Sequence, residues 1–472
     1  VQSAQQQPKP QDVVVVIPGI MGSRLRTADD REVWGPGAGS VLRALRTLGG
    51  SLRDLQLPDD VGDGPAPDGV RAHGLMPSLH AIPGIWTPVK GYSELEGFLR
   101  QKRFGLIEDR PDDPGASPGN LVLFAYDWRL SNRRTAQLLR DRVEPVLERW
   151  RASAPVRATA RLVFVCHSMG GLVARWYVQK LGGGEVTRAI VTLGTPHRGA
   201  CKALEQLVNG VRKGPLKTDL TDFARSLPSL HQLLPEYACV ANSTAPLAKT
   251  TEITLPHLDP ARVADGMRFH DDLDVAPWPA GCQLVPIVGI GQPTWTTAEL
   301  DGERVVPLDT IADEDLRGDG TVPRLAARPK TMSEHDTSLR GVADGHGVLS
   351  GHRSVRDQLD LILTAQDIIY RGTANPAEAD ADAPTTGIAT PDLHEAGEPV
   401  RVTVRSPHPR LLEVVAIDEQ GAEVTSELAR GTAPTITTLT LGPGVYIIAA
   451  RAPDDPRGHD VPIVHTTTLV MP

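Results

Sequence analysis

The stretch Cys166-His167-Ser168-Met169-Gly170-Gly171 constrains this chain more than any other. It follows Arg161 to Val165, a run that is apolar after its leading arginine. It opens onto Leu172 to Val178, where apolar residues recur at helical spacing. A serine between a strand and a helix, flanked by small residues, is the sequence form of a nucleophile elbow. The tight turn pushes the hydroxyl out of the sheet and leaves the backbone N–H of Met169 facing outward. A serine hydroxyl is a poor nucleophile alone, so a base and an orienting acid are expected further along the chain.

Both candidates occur late, in the order serine, acid, histidine that an α/β-hydrolase uses. Asp319 stands between two glycines within Arg317 to Pro323. His346 stands between two more within Asp344 to Leu349, ahead of a helical pattern from Val355 to Leu363. Flanking glycines let a loop bend so that its side chain reaches the mouth of the sheet. Each motif alone is common, and most aspartates in turns only satisfy local backbone. The three together, in the required order, point to catalysis. A further element sits near the start. Val13 to Ile17 reads as a fully buried parallel strand ending in Pro18-Gly19-Ile20-Met21-Gly22-Ser23. Such a loop usually donates one backbone N–H to an oxyanion hole. Ile20 is the expected donor and Met169 the second; the plainer alternative is a simple strand-to-helix turn.

Several other motifs carry a resemblance. Tyr126-Asp127-Trp128-Arg129-Leu130 follows a predicted strand, and Leu193 to Gly199 contains Gly-Thr-Pro-His-Arg-Gly. Leu227-Pro228-Ser229-Leu230-His231-Gln232-Leu233-Leu234-Pro235, Gly291-Gln292-Pro293-Thr294 and Gly318 to Pro323 complete the series. In this combination, over about residues 13 to 365, the chain resembles the lecithin:cholesterol acyltransferase family in its bacterial and intracellular-phospholipase-like breadth. The resemblance implies Ser168 as nucleophile, Asp319 as acid and His346 as base. It also implies a lipid ester as substrate, a phospholipid among the candidates. No cofactor and no metal are expected. Two departures stand out. The family elbow normally begins with glycine, whereas position 166 is Cys; a buried small hydrophobe is the plain reading and a second nucleophile the sharp one. His352 competes with His346, but it stands nearer a helix start, where histidine more often caps or faces solvent.

At 472 residues the chain suits a large α/β domain with an appendage, and 40% apolar residues suffice for a sizeable core. The 45 glycines and 41 prolines point to many loops. A net charge of −9 argues against a nucleic-acid partner and against strong electrostatic attachment to anionic lipid. Peripheral membrane contact through a local basic patch stays open. No apolar run approaches the ~20 residues that span a bilayer. The first residues lack the charged and apolar regions of a signal peptide. The four cysteines, Cys166, Cys201, Cys239 and Cys282, show no metal spacing and no dense disulfide framework. A cytoplasmic setting is therefore expected, with a secreted mature chain as the alternative.

Strand patterns at 13–17, 121–126, 161–165, 188–193 and 284–289 alternate with helical ones at 91–104, 133–152 and 170–181. That rhythm predicts an α/β-hydrolase domain over 1–371 with a mainly parallel sheet. Two insertions break it, a lid at about 35–90 and a cap at about 200–280. Both follow strands at the edge where open α/β sheets bind ligands. Apolar residues in them, such as Leu55, Leu57, Ile82, Ile85 and Trp86, either contact acyl chains or pack internally. Residues 372–397 read as a linker, and 398–472 as an Ig-like or prealbumin-like β-sandwich. His408 and His465 read as surface or strand residues, so the sandwich is expected to be dispensable for chemistry and to dock on substrate or a protein partner. The expected activity is a serine esterase, lipase or O-acyltransferase. The alternatives are an esterase for a small non-lipid ester, a dead hydrolase fold, and a defence or signalling effector esterase unleashed by a partner.

Overall fold

Val13–Ile17 (β1) is apolar at every position because both of its faces are covered. Val13, Val15 and Ile17 join one hydrophobic cluster, while Val14 and Val16 join another. The same division recurs next to it: Leu162, Phe164 and Cys166 face the first cluster, Val163 and Val165 the second. Strands buried on both faces belong to parallel sheets covered by helices. The computed structural model describes residues 11–35, 55–59, 61–77, 80–82, 85–110, 113, 115–213, 218–242, 245–364, 386–395, 397–406, 410–431, 434–453 and 462–471.

The central sheet continues with Leu121–Leu123 (β2), Leu162–His167 (β3), Thr187–Leu193 (β4), Gln283–Gly289 (β5) and Arg340–Val342 (β6). The spatial order is β6-β5-β4-β3-β1-β2, parallel throughout. Helices Asn132–Ala152 and Gly170–Lys180 bury Leu139, Val146, Trp150 and Leu172 against one face. Helices Ser93–Leu99 and Arg353–Thr364 bury Leu95, Phe98, Val355 and Leu359 against the other. This is an α/β-hydrolase architecture with its sheet in the middle layer. β2 is shorter than the 121–126 pattern suggests, because the chain beyond it turns so that Tyr126 N–H can donate to Ser23 Oγ at 3.0 Å.

In the lid insertion, residues 36–54 lie outside the described residues, as do the side chains of Ile82, Ile85 and Trp86. Leu55 and Leu57 are buried in the main core. The cap contains helices Cys201–Asn209, Thr221–Ser226, Pro228–His231 and Pro260–Val275. It also carries a four-stranded sheet that reaches beyond residue 280, to Arg304–Leu308. Leu227, Leu230, Leu233 and Leu234 of its Pro-Ser motif all sit in the main hydrophobic cluster. Internal packing is therefore the role of these leucines.

The C-terminal region folds into two β-sheets around its own cluster of Val400, Val402, Val404, Leu412, Val414 and Ile448. Two expectations need correction. Of the linker read at 372–397, residues 372–385 lie outside the described residues, but Gly387–Ala389 and Leu393–His394 are strands. They pair with Val400–Arg405 and Pro462–Val470, distant partners that local composition does not reveal. The sandwich thus begins at 387 rather than 398. Nor does it hang free: Val445, Ile447, Leu469 and Met471 belong to the main core cluster of the hydrolase domain, and Lys202 pairs with Asp392.

One buried cation pins the insertions to the sheet. Arg129 is fully buried, and its guanidinium donates to Asp127 Oδ1 and Oδ2 at 2.9 and 2.7 Å, to Asp68 Oδ2 at 2.6 Å, and to Leu55 O at 2.9 Å. Its carbonyl accepts from Ser229 Oγ at 3.3 Å, so lid, cap and core meet at one residue. Removing one partner of a buried pair strands the other charge, at a cost of about 3–5 kcal/mol. Arg129→Met should therefore lower the unfolding free energy by that amount, read as a lower denaturant midpoint at unchanged slope. A loss under about 1 kcal/mol would show that the pin is not needed.

Candidate active site

β3 ends in Cys166 and His167, and Ser168 follows with φ +52°, a left-handed backbone rare for any residue with a β carbon. Holding that conformation costs on the order of 1–3 kcal/mol, so the surroundings must impose it. Ser168 N–H donates to Leu193 O at 2.9 Å, and Thr195 Oγ1 donates to Ser168 O at 2.7 Å. The Gly-Thr-Pro segment after β4 thereby braces the turn from beside it.

Ser168 Oγ lies 2.9 Å from His346 Nε2, and His346 Nδ1 lies 2.8 Å from Asp319 Oδ2. All three side chains are buried. A carboxylate only accepts, so Nδ1 carries a proton and neutral Nε2 is left to accept from the serine hydroxyl. Asp319 Oδ1 in turn accepts the Thr321 and Val322 N–H groups at 2.9 and 2.7 Å, which fixes the carboxylate in its turn. Gln292 exchanges two backbone bonds of 3.0 Å with Gly318, and Gly320 N–H donates to Thr294 Oγ1 at 2.8 Å. Those contacts explain the Gly291 to Thr294 motif: it holds the acid loop. At Gly194, φ is +59° and a β carbon would come within 2.8 Å of Asp319 Oδ2 and 3.1 Å of His346 Nδ1. Only glycine fits there.

The loop after β1 is held by its carbonyls and one amide. Tyr126 Oη donates to Pro18 O at 2.9 Å, Trp34 Nε1 to Met21 O at 2.8 Å and Trp128 Nε1 to Ser23 O at 3.3 Å. Gly19 N–H donates to Tyr92 Oη at 2.9 Å. Ile20 lies in this loop, and Met169 follows Ser168 at the start of helix Gly170–Lys180. Reading the sequence missed Tyr92 and the side chain of His167. His167 Nε2 is 3.0 Å from His346 O, which can only accept, so Nε2 is protonated and Nδ1 accepts from Tyr92 Oη at 2.9 Å. A histidine directly before the elbow serine was a usable signal; a lone tyrosine 75 residues upstream was not.

The two competing residues lie elsewhere. His352 accepts the Ser354 N–H at 3.1 Å through Nδ1, at the start of helix Arg353–Thr364. Cys166 is buried among core side chains, and burial raises its thiol pKa well above the ordinary value.

Sheet order, elbow and the serine–histidine–aspartate contact define the class, an α/β-hydrolase. The sequence model of the lecithin:cholesterol acyltransferase family matches residues 109–274, so this stretch carries that family's domain. The match takes in Ser168 and ends before Asp319 and His346. Among solved structures, the chain is similar to one in the crystal structure of a Tle4–Tli4 complex, with 18% identity and a TM-score of 0.48, over 76% of this chain and 97% of that one. It is also similar to the lipase BlEst2 of Bacillus licheniformis in propeptide form, with 10% identity and a TM-score of 0.39, over 98% and 94% of the two chains. No curated protein matches.

A buried thiol with a raised pKa is a poor nucleophile. Cys166 in the folded protein should resist maleimide at neutral pH and react fully only after denaturation, as read by intact mass. Rapid native labelling at Cys166 would make it a second nucleophile.

Proposed function

We propose that the chain is a serine ester hydrolase acting on lipid esters, phospholipids among them, through an acyl-enzyme on Ser168. The observation that carries this reading is the unbroken contact from Ser168 Oγ through His346 to Asp319. Ser168 Oγ attacks the ester carbonyl while His346 Nε2 takes its proton. Asp319 holds the Nδ1–H tautomer and stabilises the imidazolium. The N–H groups of Ile20 and Met169 receive the oxyanion, a role in which one donor is worth about 100- to 1000-fold in rate. The imidazolium then protonates the departing alkoxide. Water repeats the cycle in reverse and frees the acid.

Hydrolysis and acyl transfer share every step up to the acyl-enzyme, and the glycine- and proline-rich insertions favour water as the usual acceptor. The lipid substrate rests on the family domain at 109–274. The inward packing of Leu227, Leu230, Leu233 and Leu234 favours a second reading, a small soluble ester. Rates that rise with acyl length support the lipid, and flat or falling rates the small ester. Four unpaired, buried cysteines fit a reducing compartment such as the cytoplasm.

A fluorophosphonate should label Ser168 and no other residue, because a base-activated serine attacks phosphorus electrophiles irreversibly. His346→Ala should abolish labelling, Asp319→Asn should slow turnover by about 10⁴-fold, and His352→Ala should leave it near wild type. Labelling that survives in Ser168→Ala, or a dominant effect at His352, would sink the assignment.

A further inference from the structure

We propose that the C-terminal sandwich is part of the active site, with Asp344 and His465 as positioning residues that set the loop carrying His346. This rests on the reading of His346 as the base. Strand Pro462–Val470 runs directly against that loop: Gly345 N–H donates to His465 O at 2.9 Å. In return, His465 N–H donates to Asp344 Oδ1 at 2.7 Å, and His465 Nδ1 lies 3.1 Å from both carboxylate oxygens. The carboxylate only accepts, so Nδ1 is the donor. A β carbon at Gly345 would meet His465 O at 2.7 Å and Thr466 Cα at 3.2 Å, so the two backbones touch with no side chain between them. His346 is the next residue, and its own N–H donates to Asp319 O at 2.8 Å.

The acid loop leans on the sandwich as well. Ile388 N–H donates to Gln292 Oε1 at 2.9 Å, and Gln292 is the residue whose backbone brackets Gly318. The His346 loop is therefore bonded directly to the C-terminal sheets, and the acid loop is tied to them one step removed, through Gln292. Apolar docking alone would have sufficed to attach the sandwich, and Val445, Leu469 and Met471 already supply it. Asp344 is instead a buried carboxylate whose desolvation makes it a weak source of stability. Its polar contacts fix a register, and the register fixed is that of the residue two positions before the imidazole.

The test uses the full chain and a soluble ester. His465→Ala should lower kcat by about 10- to 100-fold at unchanged KM, the scale of a displaced reacting group. The rate of fluorophosphonate labelling at Ser168 should fall in parallel. His465→Asn, whose amide N–H can take the place of Nδ1, should restore most of both rates. Should the alanine variant lose its fold, His465→Leu keeps the volume and drops the donor, and carries the same expectation. Wild-type kcat in the folded variants, a change in KM alone, or equal losses in the alanine and asparagine variants would overturn the proposal. Ser168→Ala is measured alongside. If it is inactive while the His465 variants are silent, only this inference fails; if it retains activity, the serine mechanism fails with it.

Discussion

The left-handed turn at Ser168 is the constraint on which the rest of this structure depends. A residue with a β carbon does not rest there unaided, so neighbouring elements must hold it from several sides. Leu193 O takes its amide, Thr195 holds its carbonyl, and helix Gly170–Lys180 begins two residues later. The turn then projects Oγ to where two loops from the far side of the sheet can meet it. Gly194 shows how little slack remains, since a single methyl group there would collide with Asp319 and crowd His346.

Around that turn the motifs separate into the three groups proposed to react and the groups that hold them. Tyr126 and Trp128 fasten the carbonyls of the loop after β1, and Arg129 binds lid and cap to the same corner. Gln292 and Thr294 hold the acid loop. His167 spans two elements, accepting from Tyr92, which anchors the first loop, and donating to the carbonyl of His346. Loops that carry reacting side chains are ordinarily the most mobile parts of a fold. Here each is tied by backbone or buried side-chain bonds to an element of the sheet or the sandwich.

Much of the architecture was legible because its signals are local. β1, and β3 up to Cys166, are apolar since two clusters cover them, and the elbow announces itself by serine among small residues at a strand–helix junction. Asp319 and His346 could be singled out by their glycine brackets and chain order. What could not be read depends on distant partners. β6 is only Arg-Gly-Val and becomes a strand by pairing with β5. Gly387–Ala389 and Leu393–His394 look like polar linker until their partners at 400–405 and 462–470 are present. His465 and Asp344 stand 121 residues apart, and no spacing rule joins them. The cap leucines were ambiguous in the sequence, because apolar residues in a cap over a site can as readily be core as substrate wall, and they are core.

Whether Ser168 carries the acyl group is tested most directly by mass spectrometry of defined phospholipid mixtures after incubation with the wild-type protein and with Ser168→Ala. Wild type should release free fatty acid and the matching lysolipid in equal amounts, while Ser168→Ala should release neither above the background without enzyme. Equal release by both proteins would contradict it, because the serine at the elbow would then not carry the acyl group.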